Sequence, residues 1–166
     1  MKVNLDIHIR LATLKDLPDI LKIEKECFKE PWTEPIFRML LRSHPLDDDG
    51  QTSHNFYVCE QLNKVVGYTI WENEYFNRND DDFMIFIAHI MNLALASDQR
   101  RKGLGRMLIE FAFKRIREGG INDCYLEVRE SNLPAIRLYE SLGMLYRKRL
   151  KKYYYNEDGL IYFKKL

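Results

Sequence analysis

The segment Phe83 to Ala96 (FMIFIAHIMNLALA) is apolar on both faces apart from His89 and Asn92, and it runs almost directly into QRRKGLGRML, Gln99 to Leu108. An alternating pattern would leave one face in water, whereas a continuous apolar run reads as a central strand buried on both sides. Beyond the glycines, Leu104, Met107, Leu108, Phe111, Ala112 and Ile116 recur at helical spacing, and Gly119-Gly120 ends that helix. Cys124 to Val128 then reads as another strand. A strand buried on both faces needs cover on both, so this strand, turn, helix, strand unit predicts an α/β chain with helices packed on a sheet.

The remaining elements fit around that unit. Ile7 to Leu11 alternates and reads as the first strand. Thr13-Leu-Lys-Asp16 has capping-box spacing, with Asp in place of Glu, and opens a helix to about Phe28 whose apolar face holds Leu17, Ile20 and Leu21, with Glu24 also at helical spacing. Pro31-Trp32 breaks it, and Thr33 caps a second helix to about Arg42. Phe56 to Gln61 and Val65 to Glu72 read as a hairpin about Leu62-Asn63-Lys64, followed by a polar insertion from Asn73 to Asp82. Pro134 to Leu142 reads as a short helix with Gly143 as its left-handed cap. Two strands, about Met144 to Tyr153 and Leu160 to Lys165, close the chain around the turn signal Asn-Glu-Asp-Gly. The expectation is one domain over residues 1–166, with a mixed sheet of about seven strands and about four helices.

Composition narrows the class. No apolar run reaches the roughly 20 residues of a membrane span, and the N-terminus lacks a signal-peptide pattern, so a cytoplasmic protein without a membrane partner is expected. Cys27, Cys59 and Cys124 are odd in number, far apart and outside any C-x-x-C pair, which predicts reduced, mostly buried thiols and no zinc ribbon. The net charge of +1 is too balanced for a nucleic-acid partner. The acidic runs Asp47–Asp49 and Asp80–Asp82 and the basic run Arg147–Lys152 read as solvated loops and a charged edge strand.

The basic stretch at Arg100, Arg101, Lys102 and Arg106 differs, because Gly103 and Gly105 are set within it. It lies where the buried strand gives way to a helix. The first turn of a helix offers unpaired N–H groups and the positive end of the dipole, and glycine lets backbone approach a ligand closely. The four cations suit a ligand carrying several phosphates. A G-x-x-x-x-G-K-[ST] phosphate loop is absent, and the dinucleotide fingerprint fails at its third glycine, where Leu108 stands. Taken alone, the stretch also fits a basic helix start whose glycines serve only the turn.

A second segment, YLEVRESNLPAIRLYESLGM from Tyr125 to Met144, completes the picture. RRKGLG together with LEVRESN and AIRLYESLGM resembles the acetyl-CoA-binding motifs of the GNAT N-acetyltransferases. The resemblance is to RimI-type ribosomal-protein-alanine acetyltransferases and archaeal protein N-terminal acetyltransferases. It extends to Glu30-Pro-Trp32-Thr, to His89 with Leu93-Ala94-Leu95, and to Tyr153-Tyr154-Tyr155, and it covers nearly the whole chain except residues 74–82. It implies a GNAT fold and acetyl-CoA as co-substrate, with no metal. Leu93, Ala94 and Leu95 would offer strand backbone to the pantetheine arm. Residues Arg100, Arg101, Lys102, Gly103, Leu104, Gly105 and Arg106 would hold the pyrophosphate through backbone N–H groups, and Asn132 would hydrogen-bond the cofactor. Glu127 matches the general base and Tyr139 the acid that protonates the departing thiolate. His89 and Glu30 match a pair that positions water near the amine. Trp32, Tyr154 and Tyr155 would meet the acceptor, expected to be a protein N-terminus. Met144 stands where the motif usually has Phe, a packing swap.

The chemistry is consistent with that acceptor. An amine attacks a thioester only when neutral, and an α-amine, with pKa about 7.7–8.0, is easier to neutralise than lysine near 10.4 by roughly 3.4 kcal/mol. Acetylation of a polyamine, another small amine or a lysine side chain is the alternative activity, and a non-catalytic acyl-CoA-binding module a distant one. Without the resemblance, Tyr139 reads as a packing residue, Glu127 as an edge charge or a partner for the surroundings of Arg129, and His89 as a hydrogen-bonded core residue. Trp71, Tyr75 and Phe76 read equally as groove lining or as packing. The sequence leaves the oligomeric state open.

Overall fold

In the computed structural model, the description covers residues 7–42, 54–77 and 84–166. Seven strands form one mixed sheet in the order β1-β2-β3-β4-β5-β7-β6: β1 Ile7–Leu11, β2 Asn55–Gln61, β3 Lys64–Asn77, β4 Met84–Leu95, β5 Asp123–Arg129, β6 Leu145–Tyr154 and β7 Glu157–Lys165. The helices are α1 Leu17–Cys27, α2 Glu34–Arg42, α3 Leu104–Glu118 and α4 Leu133–Ser141. β4 and β5 run parallel, pairing Ala88 with Cys124 and His89 with Tyr125. The β1/β2, β2/β3, β5/β7 and β6/β7 pairs are antiparallel. This is the α/β architecture the sequence predicts. Among the described residues, no helix is long and apolar enough to cross a membrane.

The chain divides into two compact units. One ends its first segment at Trp71 and takes up Asn92–Ile109; the other comprises Glu72–Met91 and Glu110–Leu166. In the first, the Thr13 N–H donates to Asp16 Oδ2 at 2.7 Å, and a short 3-10 turn leads into α1 at Leu17. Pro18 sits in the first turn, where its missing N–H costs nothing. Arg10 grips Asp16 through both Nη atoms at 2.8 Å. Burial works to raise the Asp16 carboxyl, but the Arg10 and Thr13 bonds prevail and hold it below its ordinary value. Leu17, Ile20 and Ile23 of α1 and Phe37 and Leu40 of α2 are buried; Leu21, expected inside, is only half-buried. Trp71 is buried and stacks on Tyr57 at 5.2 Å, so it packs rather than lining a groove. Cys59, Val66, Leu104 and Leu108 form a second cluster, which explains why Leu108 interrupts the glycine fingerprint.

In the second unit, Ile87, Tyr125, Ile161 and Phe163 form the core, with Phe76, Ile85 and Leu150 against it. Two expectations need correcting here. The stretch from Asn73, read as the start of a polar insertion, continues β3 as far as Asn77. Its side chains have contacts that polarity alone conceals: Glu74 accepts from the Tyr125 hydroxyl, and Phe76 packs on the Tyr125 ring at 4.6 Å. The final turn is Tyr155-Asn156 rather than Asn156 to Gly159. Tyr155 takes the left-handed conformation (φ +53°), while Asp158 lies in β7 and accepts the Lys152 N–H at 2.8 Å. β6 is an edge strand with an exposed basic face, as its charge run predicts, and Arg149 pairs with Glu130 and Asp158. Met144 is buried. Gly143 takes φ +76° after α4. The acidic runs Asp47–Asp49 and Asp80–Asp82 lie outside the described residues.

Candidate active site

The residues singled out for phosphate binding lie where β4 ends and α3 begins. A 3-10 turn at Ser97–Gln99 leads to Arg101 and Gly103, both with left-handed backbone (φ +58° and +86°), before α3 starts at Leu104. A left-handed residue beside a helix start aims successive N–H groups into one concavity, a form of anion receptor. The Met107 N–H is taken by the Gly103 carbonyl at 3.1 Å; those nearer the start precede the first turn of the ladder. Arg101, Lys102, Gly103 and Arg106 are exposed, Gly105 half-buried and Leu104 buried in the core. Lys102 Nζ donates to Gln99 Oε1 at 3.2 Å. The Arg100 side chain makes contacts within the protein. Its guanidinium turns back along the strand, donating from Nε to the Leu95 carbonyl (3.3 Å) and from Nη2 to Cys27 Sγ (3.2 Å). Ala94 is buried between half-buried Leu93 and Leu95.

Trp32 is half-buried in the α1–α2 turn and Glu30 is exposed there. The Trp32 ring packs on Phe37 at 5.8 Å, and its N–H donates to Glu24 at 2.8 Å.

The other unit gathers titratable groups about His89. His89 Nε2 lies 2.6 Å from Glu127 Oε2, and Nδ1 lies 3.9 Å from both Glu72 and Glu74. The register that sets His89 beside Tyr125 stacks their rings at 4.4 Å, almost parallel. Glu127, two residues further along β5, points to the same face. Burial alone would lower the His89 pKa, but the bond to Glu127 and the charges of Glu127, Glu74 and Glu72 raise it above its ordinary value. Tyr153 bonds Glu127; burial first, then that carboxylate, push its hydroxyl up to about 12. Glu72, Glu74 and His89 are also the trio whose ligand-type atoms, all within 4.8 Å of one another, could hold a metal ion.

Tyr139 is buried on α4, and burial raises its hydroxyl to about 12. Asn132, singled out for the cofactor, caps that helix instead: its side-chain oxygen accepts the Ala135 N–H at 3.3 Å, leaving its amide hydrogens to bond elsewhere. Tyr154 packs under the Arg129 guanidinium at 4.3 Å, and Tyr155 is exposed at the turn. Tyr75 is exposed and pairs with Phe86 at 5.1 Å.

Sequence reasoning singled out Glu127 and His89, which the structure brings together, but not Glu72, Glu74 and Tyr125 beside them. The signal was present: two glutamates at i and i+2 share one face of a strand, provided that strand is carried past Glu72.

Residues 17–144 match the acetyltransferase (GNAT) family, and the chain belongs to that family. It is therefore an acyltransferase by class. An N-alpha-acetyltransferase of Sulfolobus acidocaldarius is 31% identical over 156 residues, spanning 92% of this chain and 88% of the relative. The [ribosomal protein bS18]-alanine N-acetyltransferase of Escherichia coli K12 is 31% identical over 144 residues, spanning 87% and 84%. The crystal structure of Ard1 from Thermoplasma volcanium superposes with a TM-score of 0.79 at 24% identity, covering 96% of this chain and 97% of that one, which establishes a shared fold.

Proposed function

We propose that the protein transfers the acetyl group of acetyl-CoA directly to the N-terminal α-amine of a protein or peptide. The observation that carries this reading is the His89–Glu127 contact at 2.6 Å beside two further carboxylates, Glu72 and Glu74. Three carboxylates about one imidazole leave the cluster negative whatever the charge on His89, so it attracts an ammonium group and can take its proton. The names of the Sulfolobus and Escherichia relatives supply the acceptor class.

In this scheme Gly103, Gly105 and the start of α3 hold the pyrophosphate, with Arg101, Lys102 and Arg106 adding positive charge, and Leu93 to Leu95 present backbone to the pantetheine. Trp32, Tyr154 and Tyr155 line the acceptor's approach. Glu127, with His89 bonded to it, removes a proton from the ammonium, directly or through water that Glu30 helps to place. The neutral nitrogen attacks the thioester carbon, and the resulting oxyanion is met by backbone N–H groups of the strand. The carbon–sulfur bond breaks, the departing thiolate takes the Tyr139 proton, and the new amide nitrogen sheds its remaining extra proton to water, which restores the tyrosine hydroxyl. A hydroxyl raised to about 12 stays protonated throughout the neutral range, as a donor must. No residue becomes acetylated and no metal takes part.

A competition experiment tests the acceptor. The enzyme and acetyl-CoA are incubated with a peptide carrying a free N-terminus and an internal lysine, together with spermidine, and the label is located by fragmentation mass spectrometry. Label on the α-amine, abolished by prior blocking of that amine, is the expected result. Label mainly on lysine or spermidine would sink the reading and promote a small-amine or lysine acceptor.

A further inference from the structure

We propose that Glu24 is a positioning residue, a single buried carboxylate that ties the turn carrying Glu30 and Trp32 to the β4 segment Asn92–Leu95. It thereby fixes the acceptor loop relative to the strand that receives the thioester. The inference rests on the function proposed above, which assigns those two elements their roles.

Glu24 lies on the inner face of α1 and is 1% exposed. One oxygen accepts the Trp32 N–H at 2.8 Å. The other accepts the Tyr68 hydroxyl and, at 3.4 Å, an Asn92 amide hydrogen. The three donors come from three elements: the α1–α2 turn, β3 and β4. None of them carries a charge. Burying a carboxylate among neutral donors is expensive, and burial accordingly raises the Glu24 pKa even against those three bonds. An apolar side chain would fill the same space without that cost. What the carboxylate adds is directionality, because only one arrangement of turn and strands satisfies all three donors.

The Asn92–Leu95 segment is held at further points. The Thr69 hydroxyl donates to the Asn92 carbonyl at 3.2 Å. Cys27, one turn beyond Glu24 on α1, donates from its thiol to the Leu95 carbonyl at 3.2 Å. α1 therefore grips this segment at both ends. β3 presses on it from alongside: a Cβ on Gly67 would meet the Ala94 carbonyl oxygen at 2.8 Å. Glu24 extends the same grip to the turn bearing Trp32.

Glu24→Gln tests this, since an amide presents one acceptor oxygen where the carboxylate presents two and cannot satisfy all three donors. The measurements are steady-state kinetics on a peptide with a free α-amine, acetyl-CoA affinity and binding stoichiometry by calorimetry, and thermal melting. The expected result is a fall in kcat/KM for the peptide of about 10- to 100-fold, with a raised peptide KM and an unchanged acetyl-CoA Kd. Tyr68→Phe leaves the Trp32 bond in place and should lower kcat without moving the peptide KM. If Glu24→Gln does not fold, the double variant Glu24→Leu/Tyr68→Phe removes acceptor and donor together and should show the same KM rise. Wild-type kinetics in a folded variant would overturn the proposal. So would a loss accounted for entirely by fewer acetyl-CoA-binding molecules, which marks a merely structural role. Should the wild type prefer another amine, the acceptor assignment fails, while the Glu24 comparison is made unchanged on that amine.

Discussion

The turn from Arg100 to Arg106 and the cluster around His89 are assigned to the same reaction but are built in opposite ways. The first relies on backbone: left-handed residues at Arg101 and Gly103, the opening turn of α3, and strand carbonyls and N–H groups at Leu93 to Leu95. The Arg100 side chain, exposed at the start of that turn, donates to the protein's own Leu95 carbonyl. The second relies on side chains whose protonation is displaced by their neighbours, with His89 and Tyr153 held between carboxylates and rings. A site made of backbone responds to shape and hardly to pH. A site made of coupled acids and bases responds to both.

The largest effect that can sharpen this contrast is at Tyr139. Tyr139→Phe keeps the ring and removes the hydroxyl, and kcat should fall by roughly 10²–10⁴ with little change in acetyl-CoA affinity. A near-wild-type kcat, measured where chemistry limits the rate, would return Tyr139 to packing. Next comes the backbone site. Gly105→Glu places an anion at the start of α3 and should weaken acetyl-CoA binding about 100-fold, or about 2.7 kcal/mol, with the fold retained. Unchanged calorimetric affinity would show that this turn does not hold the pyrophosphate. The smallest effect is on stability. Because the His89 pKa is raised in the folded state, its contribution is fully present below the ordinary histidine value and is lost as pH rises through the folded one. Wild type should therefore lose stability relative to His89→Asn, by an amount of order 1 kcal/mol, across the range above pH ~6.5. Parallel denaturation midpoints from pH 6 to 9 would remove the electrostatic half of the contrast.

The same contrast explains what was legible in the sequence. Backbone sites leave local marks, since glycines, a basic helix start and helical periodicity all lie within Gln99 to Ile116. Those marks placed the turn between β4 and α3, and the helix after it, to within a few residues. Side-chain clusters are assembled by sheet register from positions far apart, and no single stretch of sequence holds Glu72, His89 and Glu127 together. Glu74 was lost because the polarity of Asn73 to Asn77 hid a strand whose side chains meet Tyr125 of β5, beyond the neighbouring strand. Glu24 was visible as a carboxylate on an apolar helical face, but not as an acceptor for three donors, because those donors come from three other elements. Arg100 carried no mark of its own partners: its side-chain bonds go to a carbonyl and a thiol that the charge run does not reveal.

The cysteines have a practical consequence for following how this chain comes apart. Cys59 lies in one compact unit and Cys124 in the other, both with no exposed surface and with thiols pushed up by burial to about 11 and about 12. Neither can meet an alkylating reagent until the strand that carries it opens. Each unit thus contains its own native stopwatch. Timed alkylation in rising denaturant, read by peptide mass spectrometry, would report which unit opens first without any engineered label.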